Sequence, residues 1–210
     1  MEAKHSGRRC IVWSGKHAAA IPESGKGTIM GIELEFLNAL QSLHTPLGDW
    51  LMVFVTTLGE AGIVWIVLTA VLLCIPKTRK TGLVVAAALL INLVLCNGML
   101  KPLAARTRPF VLNPTIELLA MRPTDYSFPS GHTSASFAAA WALVLCRKEY
   151  GVGWLWKAAL VLAVLIAFSR MYLYMHFPTD VLGGLAVGLL SGWIAWYGKG
   201  LIQKRRKVNE

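Results

Sequence analysis

Apolar residues in this chain come in long blocks, at about 61–75, 82–100, 133–147, 154–172 and 181–198. Runs of that length are too long for an alternating strand and read as helices that are buried or face lipid. Leu47 to Leu58 is a weaker block of 12 residues. It covers only about 18 Å as a helix, so it crosses a bilayer only if the turn before it is drawn in. Ahead of it, Leu34, Leu37, Leu40 and Leu43 alternate with Glu33, Asn38, Gln41 and Ser42. That is a helix-period stripe suited to lying on a membrane surface. Thr45-Pro46 then reads as a cap and first-turn proline that restart the helix. The pattern predicts an all-α fold, a polytopic membrane helical bundle of six transmembrane helices with an amphipathic N-terminal helix. Five crossings is the second reading.

Three units follow along the chain. Residues 1–32 hold Gly, Lys, Arg and Ser with one short apolar stretch, Cys10 to Trp13, too short for a signal-peptide core. They read as a flexible cytoplasmic extension, and Met30 stands as an alternative start where the periodicity begins. Residues 33–200 form the membrane domain, and 201–210 a basic cytoplasmic tail.

Composition agrees. Of 210 residues 55% are hydrophobic and only 15% charged, with a mean hydropathy of +0.54. Typical globular chains carry roughly 25% charged residues, so a soluble domain, a disulfide-knotted secreted fold and a disordered chain are excluded. Cys74, Cys96 and Cys146 lie within apolar runs, and with Cys10 they form no C-x-x-C pair. Neither a disulfide framework nor a zinc site is expected.

The net charge of +10 raises the question of nucleic acid, which requires a contiguous basic face. Here the cations fall between apolar blocks, so nucleic acid is not an expected partner. With six crossings and both termini inside, the cytoplasmic side holds Lys4, Arg8, Arg9, Lys16, Lys26, Lys77, Arg79, Lys80, Arg147, Lys148, Lys157, Lys199, Lys204, Arg205, Arg206 and Lys207. Only Lys101, Arg106, Arg108, Arg122 and Arg170 are left outside. Placing the N-terminus outside makes the division 11 against 10, and the positive-inside rule prefers the first arrangement. Five cations on the disfavoured side then need a reason.

Three segments supply one by meeting at the same outer surface: Lys101 to Arg108, Pro129-Ser130-Gly131-His132, and Arg170 to Asp180. Together they bring Lys101, Arg108, Arg170, His132, His176, Asp180 and a Ser-Gly helix start. Arginine forks fit phosphate oxygens and lysine adds a compact charge. Ser130 can cap a helix whose free N–H groups and positive dipole end favour an anion. Gly131 lets backbone approach closely. His176 and Asp180 are four apart with Pro178 between them, so the carboxylate can hold the imidazole in one tautomer. Two histidines in different surroundings divide the labour of attack and leaving-group protonation. The carboxylates Glu60, Glu117, Asp125 and Asp180 are too scattered for a two-metal clamp.

These segments, complete and in order across about 80 residues, resemble the three-part signature of the type 2 phosphatidic acid phosphatase (PAP2) family, whose phosphate site is similar to that of vanadium haloperoxidases. The resemblance implies His176 as the nucleophile forming a phosphohistidine, Asp180 as its partner and His132 as general acid. It implies Lys101, Arg108, Ser130, Gly131 and Arg170 as phosphate ligands, with no metal and no cofactor. The expected activity is hydrolysis of a lipid phosphate or diphosphate at the extracytoplasmic face of the cell membrane. Phosphatidylglycerol phosphate or phosphatidic acid leads as substrate, with undecaprenyl diphosphate as the alternative. A haloperoxidase-like activity and a non-catalytic phosphate-binding protein are more distant readings. Membrane lipids are expected partners, and no obligatory protein partner is inferred.

Outside the signature, Arg106 and Arg122 read as headgroup or solvent contacts. The loop from Pro109 to Phe128 is expected to shape headgroup choice through Arg122, Asp125 or Tyr126. Trp50, Trp154 and Trp156 fit interfacial anchoring, and Lys204-Arg205-Arg206-Lys207 fits attraction to the inner leaflet. Gly184, Gly188 and Gly192 form a small-residue series that admits a close neighbouring helix. Ala159, Ala163 and Ala167 are the expected partner.

Overall fold

The computed structural model describes residues 29–148 and 152–208. The expectations for residues 1–28 therefore lie outside the described residues. The described chain is all-helical. It comprises α1 (Ile29–Gln41), α2 (Pro46–Leu58), a 3-10 turn (Glu60–Gly62), α3 (Ile63–Cys74) and α4 (Arg79–Asn92). A π-helical stretch (Leu93–Leu100) leads into α5 (Lys101–Ala104) and α6 (Pro109–Leu112), followed by α7 (Gly131–Cys146), α8 (Leu155–Tyr172) and α9 (Pro178–Val208).

Three stretches are long and apolar enough to cross a membrane: Arg79–Leu112, Leu155–Tyr172 and Pro178–Arg205. The pair α2 and α3 makes a fourth if taken as one, bent by 44°. Six crossings thus do not emerge from helix length. The bend has a local cause, since Ala61 (φ 48) and Gly62 (φ 70) turn the backbone left-handed between the two helices, which glycine tolerates and alanine does so at a cost. The helices run on in one sense. Asp49 and Thr56 of α2 hold Tyr172 and Arg170 near the end of α8, and Gly59 reaches Ile166 one turn deeper.

Small residues make the centre. Ala138, Ala139, Ala140 and Ala142 of α7 are buried and let its neighbours close in on every side. Trp65 of α3 is 1% exposed and its indole N–H donates to Ser136 Oγ at 2.9 Å. The glycine series of α9 lies on α7, not on the Ala159 series of α8. A Cβ at Gly184 would stand 2.7 Å from the Ser130 carbonyl, and one at Gly188 2.5 Å from that of Ser134. The Ser130 contact places the start of α7 directly against the first turns of α9.

The first helix also differs from expectation. Its Leu34, Leu37 and Leu40 pack on Phe110 and on Leu173 to Phe177, so that face is spent on protein, not on lipid. Full burial of Leu37 contributes about 1.5–3 kcal/mol relative to exposure. Ile29, Ile32 and Phe36 form the exposed apolar face instead.

Candidate active site

Four helix ends converge at one end of the bundle. The π-helical stretch delivers Lys101, Ser130 caps α7, α8 ends just past Arg170, and α9 begins at Pro178. A cavity of about 570 Å³ lies among them, lined by Lys101, Arg108, Gly131, His132, Arg170 and His176. Leu89, Leu90, Leu93 and Ile66 extend it as an apolar flank. Every site residue expected from sequence is thus in or beside one space. Ser130 stands at its edge, where its Oγ accepts from Thr133 and its N–H donates to the Asp180 carbonyl at 3.0 Å.

The cations are buried, Lys101 to 6%, Arg108 to 4% and Arg170 to 3% exposure. Lys101 Nζ and Arg108 Nη2 both donate to the Asp125 carboxylate. Arg108 Nε donates to the Asp125 carbonyl at 2.8 Å, and Lys101 to that of Tyr126 at 3.1 Å. Arg170 Nη1 donates to Thr56 Oγ1 at 2.5 Å, while its Nε has no hydrogen-bond partner. Burial opposes ionisation of Asp125, but the hydrogen bond and charge of Lys101, with those of Arg108, outweigh it and bring its pKa down to about 2. An ionised carboxylate therefore bridges the two buried cations.

His176 is 1% exposed. Arg108 Nη1 donates to its Nε2 at 3.1 Å. Guanidinium can only donate, so Nε2 is the acceptor and the ring proton sits on Nδ1. That nitrogen lies 3.5 Å from both Asp180 Oδ2 and Ser127 Oγ. Burial, then the charges of Arg108, Arg170 and Lys101, push the pKa of His176 well below its usual value. The imidazole at rest is neutral, with its lone pair beside the arginine. His132 lines the same cavity, and its Nε2, 3.6 Å from Glu60 Oε2, makes no hydrogen bond. A Cβ on Gly131 would stand 3.9 Å from Lys101 Nζ, in space the cations leave open. Among the described residues no group of three or more His, Cys, Asp or Glu gathers to hold a metal ion.

The family model for the PAP2 superfamily matches residues 80–203. The chain belongs to the PAP2 superfamily. It is similar to the undecaprenyl-diphosphatase of Sulfolobus acidocaldarius, at 36% identity over 80% of this chain and 77% of that one. The lipid A 4'-phosphatase of Bacteroides thetaiotaomicron is 31% identical over 79% of this chain and 76% of its own length. The crystal structure of a transmembrane PAP2-type phosphatidylglycerolphosphate phosphatase from Bacillus subtilis superposes with a TM-score of 0.66 at 26% identity. It covers 84% of this chain and 87% of that structure.

This PAP2 chain holds contacts that the motif spacing did not disclose. Arg106, expected in headgroups or solvent, donates instead to Asp180 Oδ1 and to Thr179 Oγ1, both at 2.6 Å. Ser127 donates to Asp180 Oδ2 at 2.5 Å, and Thr56 receives Arg170. One sequence signal was present: Glu33 shares the helix face of Leu37 and Leu40, four and seven positions on, where a carboxylate is out of place unless paired. Arg122 lies over the Phe110 ring at 4.9 Å.

Proposed function

We propose that this membrane protein is a phosphohydrolase acting on a lipid phosphate or diphosphate through a covalent phosphohistidine, without a metal. The observation that carries it is His176 with its Nε2 lone pair beside Arg108 and its Nδ1 proton toward Asp180, among three buried cations. In this reading Lys101, Arg108, Arg170 and the N–H groups at the start of α7 receive the phosphate oxygens. His176 Nε2 attacks phosphorus, the bond to the leaving oxygen breaks, and His132 gives that oxygen its proton. Asp180 stabilises the imidazolium as charge builds on it. Water then attacks the phosphohistidine with His132 accepting its proton, and phosphate leaves.

The apolar flank formed by Leu89, Leu90, Leu93 and Ile66 suits a lipid tail entering between α3 and α4. The relative from Sulfolobus acidocaldarius, named an undecaprenyl-diphosphatase, supports a polyprenyl diphosphate as one substrate class, beside the glycerolipid phosphate of the Bacillus subtilis structure. The test is phosphate release by purified protein in detergent with chelator, on both lipid classes, beside His176→Ala. Turnover that needs metal, or that survives the substitution, overturns the mechanism.

For topology we infer five crossings: α2 with α3, α4 with α5, α7, α8 and α9. Two features support this over six. The pair α2 and α3 runs in one sense, and α1 docks at the same end as the site. Among the described residues, Lys77, Arg79, Lys80, Arg147, Lys148, Lys157, Lys199, Lys204 and Arg205 fall at the opposite end and Lys101, Arg106, Arg108, Arg122 and Arg170 at the site end. Counted over these alone, and not over the whole chain as for six crossings, the positive-inside rule makes the opposite end cytoplasmic. The site then faces the extracytoplasmic side, and the basic tail faces the cytoplasm.

A further inference from the structure

The start of α9 presents a capping problem. Pro178 opens the helix and Phe177 stands at the cap position, where a phenylalanine offers no acceptor to the free N–H groups of the first turn. Asp180, three residues on, reaches back and accepts from the Phe177 N–H at 2.9 Å, the return half of a capping box. The missing half comes from α1. Glu33 Oε1 accepts from the Thr179 N–H at 2.9 Å and from Thr179 Oγ1 at 2.5 Å. Its other oxygen, Oε2, accepts from Arg106 Nη2 at 2.5 Å.

Arg106 joins the two carboxylates, its Nη1 on Asp180 Oδ1 and its Nη2 on Glu33 Oε2. Its guanidinium lies 4.2 Å over the Phe177 ring, which holds the fork flat. Asp180 is 0% and Glu33 5% exposed, so neither charge can be met by bulk water. Oδ1 of Asp180 is thereby committed to arginine. Oδ2 is left to Ser127, the Phe177 N–H and His176 Nδ1.

We propose that Glu33 and Arg106 are positioning residues for His176, acting through Asp180, so that docking of α1 completes the catalytic dyad. The proposal rests on the reading of His176 as nucleophile. Glu33 fixes the start of α9 and shares the charge of Arg106, and Arg106 fixes which carboxylate oxygen faces the imidazole. His176 itself faces Arg108, Arg170, Lys101, His132, Asp125 and Asp180. Weakening one cation behind Asp180 therefore frees more of that carboxylate's charge to hold a proton on the ring.

The test uses the full chain in detergent with Arg106→Gln, Arg106→Lys and Glu33→Gln. Two readouts are taken across pH: phosphate release, and carbethoxylation of His176 by diethyl pyrocarbonate, mapped by mass spectrometry. Arg106→Gln is expected to move the midpoint of His176 labelling upward by about one unit. It should lower kcat by about 10- to 100-fold, with the inhibition constant of inorganic phosphate within about two-fold of wild type. Arg106→Lys restores the labelling midpoint but not kcat, because lysine returns the charge without the planar fork. Should Arg106→Gln fail to fold, its fully buried partner being left unpaired, Glu33→Gln serves instead. It leaves the charge on Arg106 and is expected to lower kcat with phosphate inhibition unchanged.

A labelling profile of Arg106→Gln coincident with wild type overturns the proposal. So does a fall in kcat for Glu33→Gln matched by an equal loss of phosphate affinity, which is the mark of a merely damaged site. If wild type releases no phosphate yet the labelling midpoint moves as stated, the enzymatic reading fails while the positioning network stands.

Discussion

At the level of single residues, one of the protein's own carboxylates occupies the space between the buried cations. Asp125 bridges Lys101 and Arg108, so in the proposed mechanism an incoming phosphate must displace it. The Asp125 side chain is 53% exposed while its two partners are buried, so a dianion that takes its place on the cations leaves the displaced carboxylate in water and not buried without a partner. Asp125→Asn is expected to tighten competitive inhibition by inorganic phosphate about two- to five-fold. The sign with pH follows from the depressed pKa. A carboxyl held at about 2 contributes its bridge fully above the ordinary carboxylate value and loses it only as pH falls through about 2. The ratio of inhibition constants between Asp125→Asn and wild type should therefore stay flat from pH 5 to 8, measured by phosphate titration of turnover. A ratio that collapses within that window contradicts the bridge. What the sequence disclosed at this scale was the signature itself, because charged residues in lipid need a reason. Ser127, Thr56 and Arg106 were not legible, since each acts by meeting a segment distant in sequence.

Among the elements, α7 and α9 decide the geometry. Ser130 and Asp180 share a backbone hydrogen bond of 3.0 Å, and Gly184 sits one turn below it against the Ser130 carbonyl. A side chain at Gly184 meets backbone that cannot rotate away, so α9 must shift. Misplacement of about 1 Å at a reacting group can cost on the order of 100-fold. Gly184→Leu is expected to lose turnover by about that factor while still inserting into membranes. Gly198→Ala, with nothing within 4 Å, should leave both unchanged. Turnover assayed on membrane-extracted protein separates the two outcomes. The glycine series was readable in the sequence as a close-packing face. Its partner was not, because Ala159, Ala163 and Ala167 offer small residues at the same spacing as α7 offers through Ser134, Ala138 and Ala142. Only the fold chooses between them.

For the whole molecule, the apolar blocks read as six crossings because Leu47–Leu58 and residues 61–75 look like separate helices. Two left-handed residues at Ala61 and Gly62 bend the chain without reversing it, and hydropathy cannot register a bend. In the proposed five-crossing arrangement, α1 and the turn after it share the face of the active site. In a background without native cysteines, Ser42→Cys should react with a membrane-impermeant maleimide added outside intact cells, and Lys77→Cys should not. Equal protection of both positions, or labelling of Lys77→Cys alone, contradicts this orientation.

In the proposed mechanism phosphate passes through His176. Purified protein, mixed with lipid phosphate in the presence of chelator and quenched in alkali, should carry covalent phosphate on that imidazole, located by mass spectrometry. His132→Ala should carry it too, while His176→Ala should carry none and release no phosphate. Phosphate found on another residue, or turnover undiminished in His176→Ala, would rule out His176 as the nucleophile.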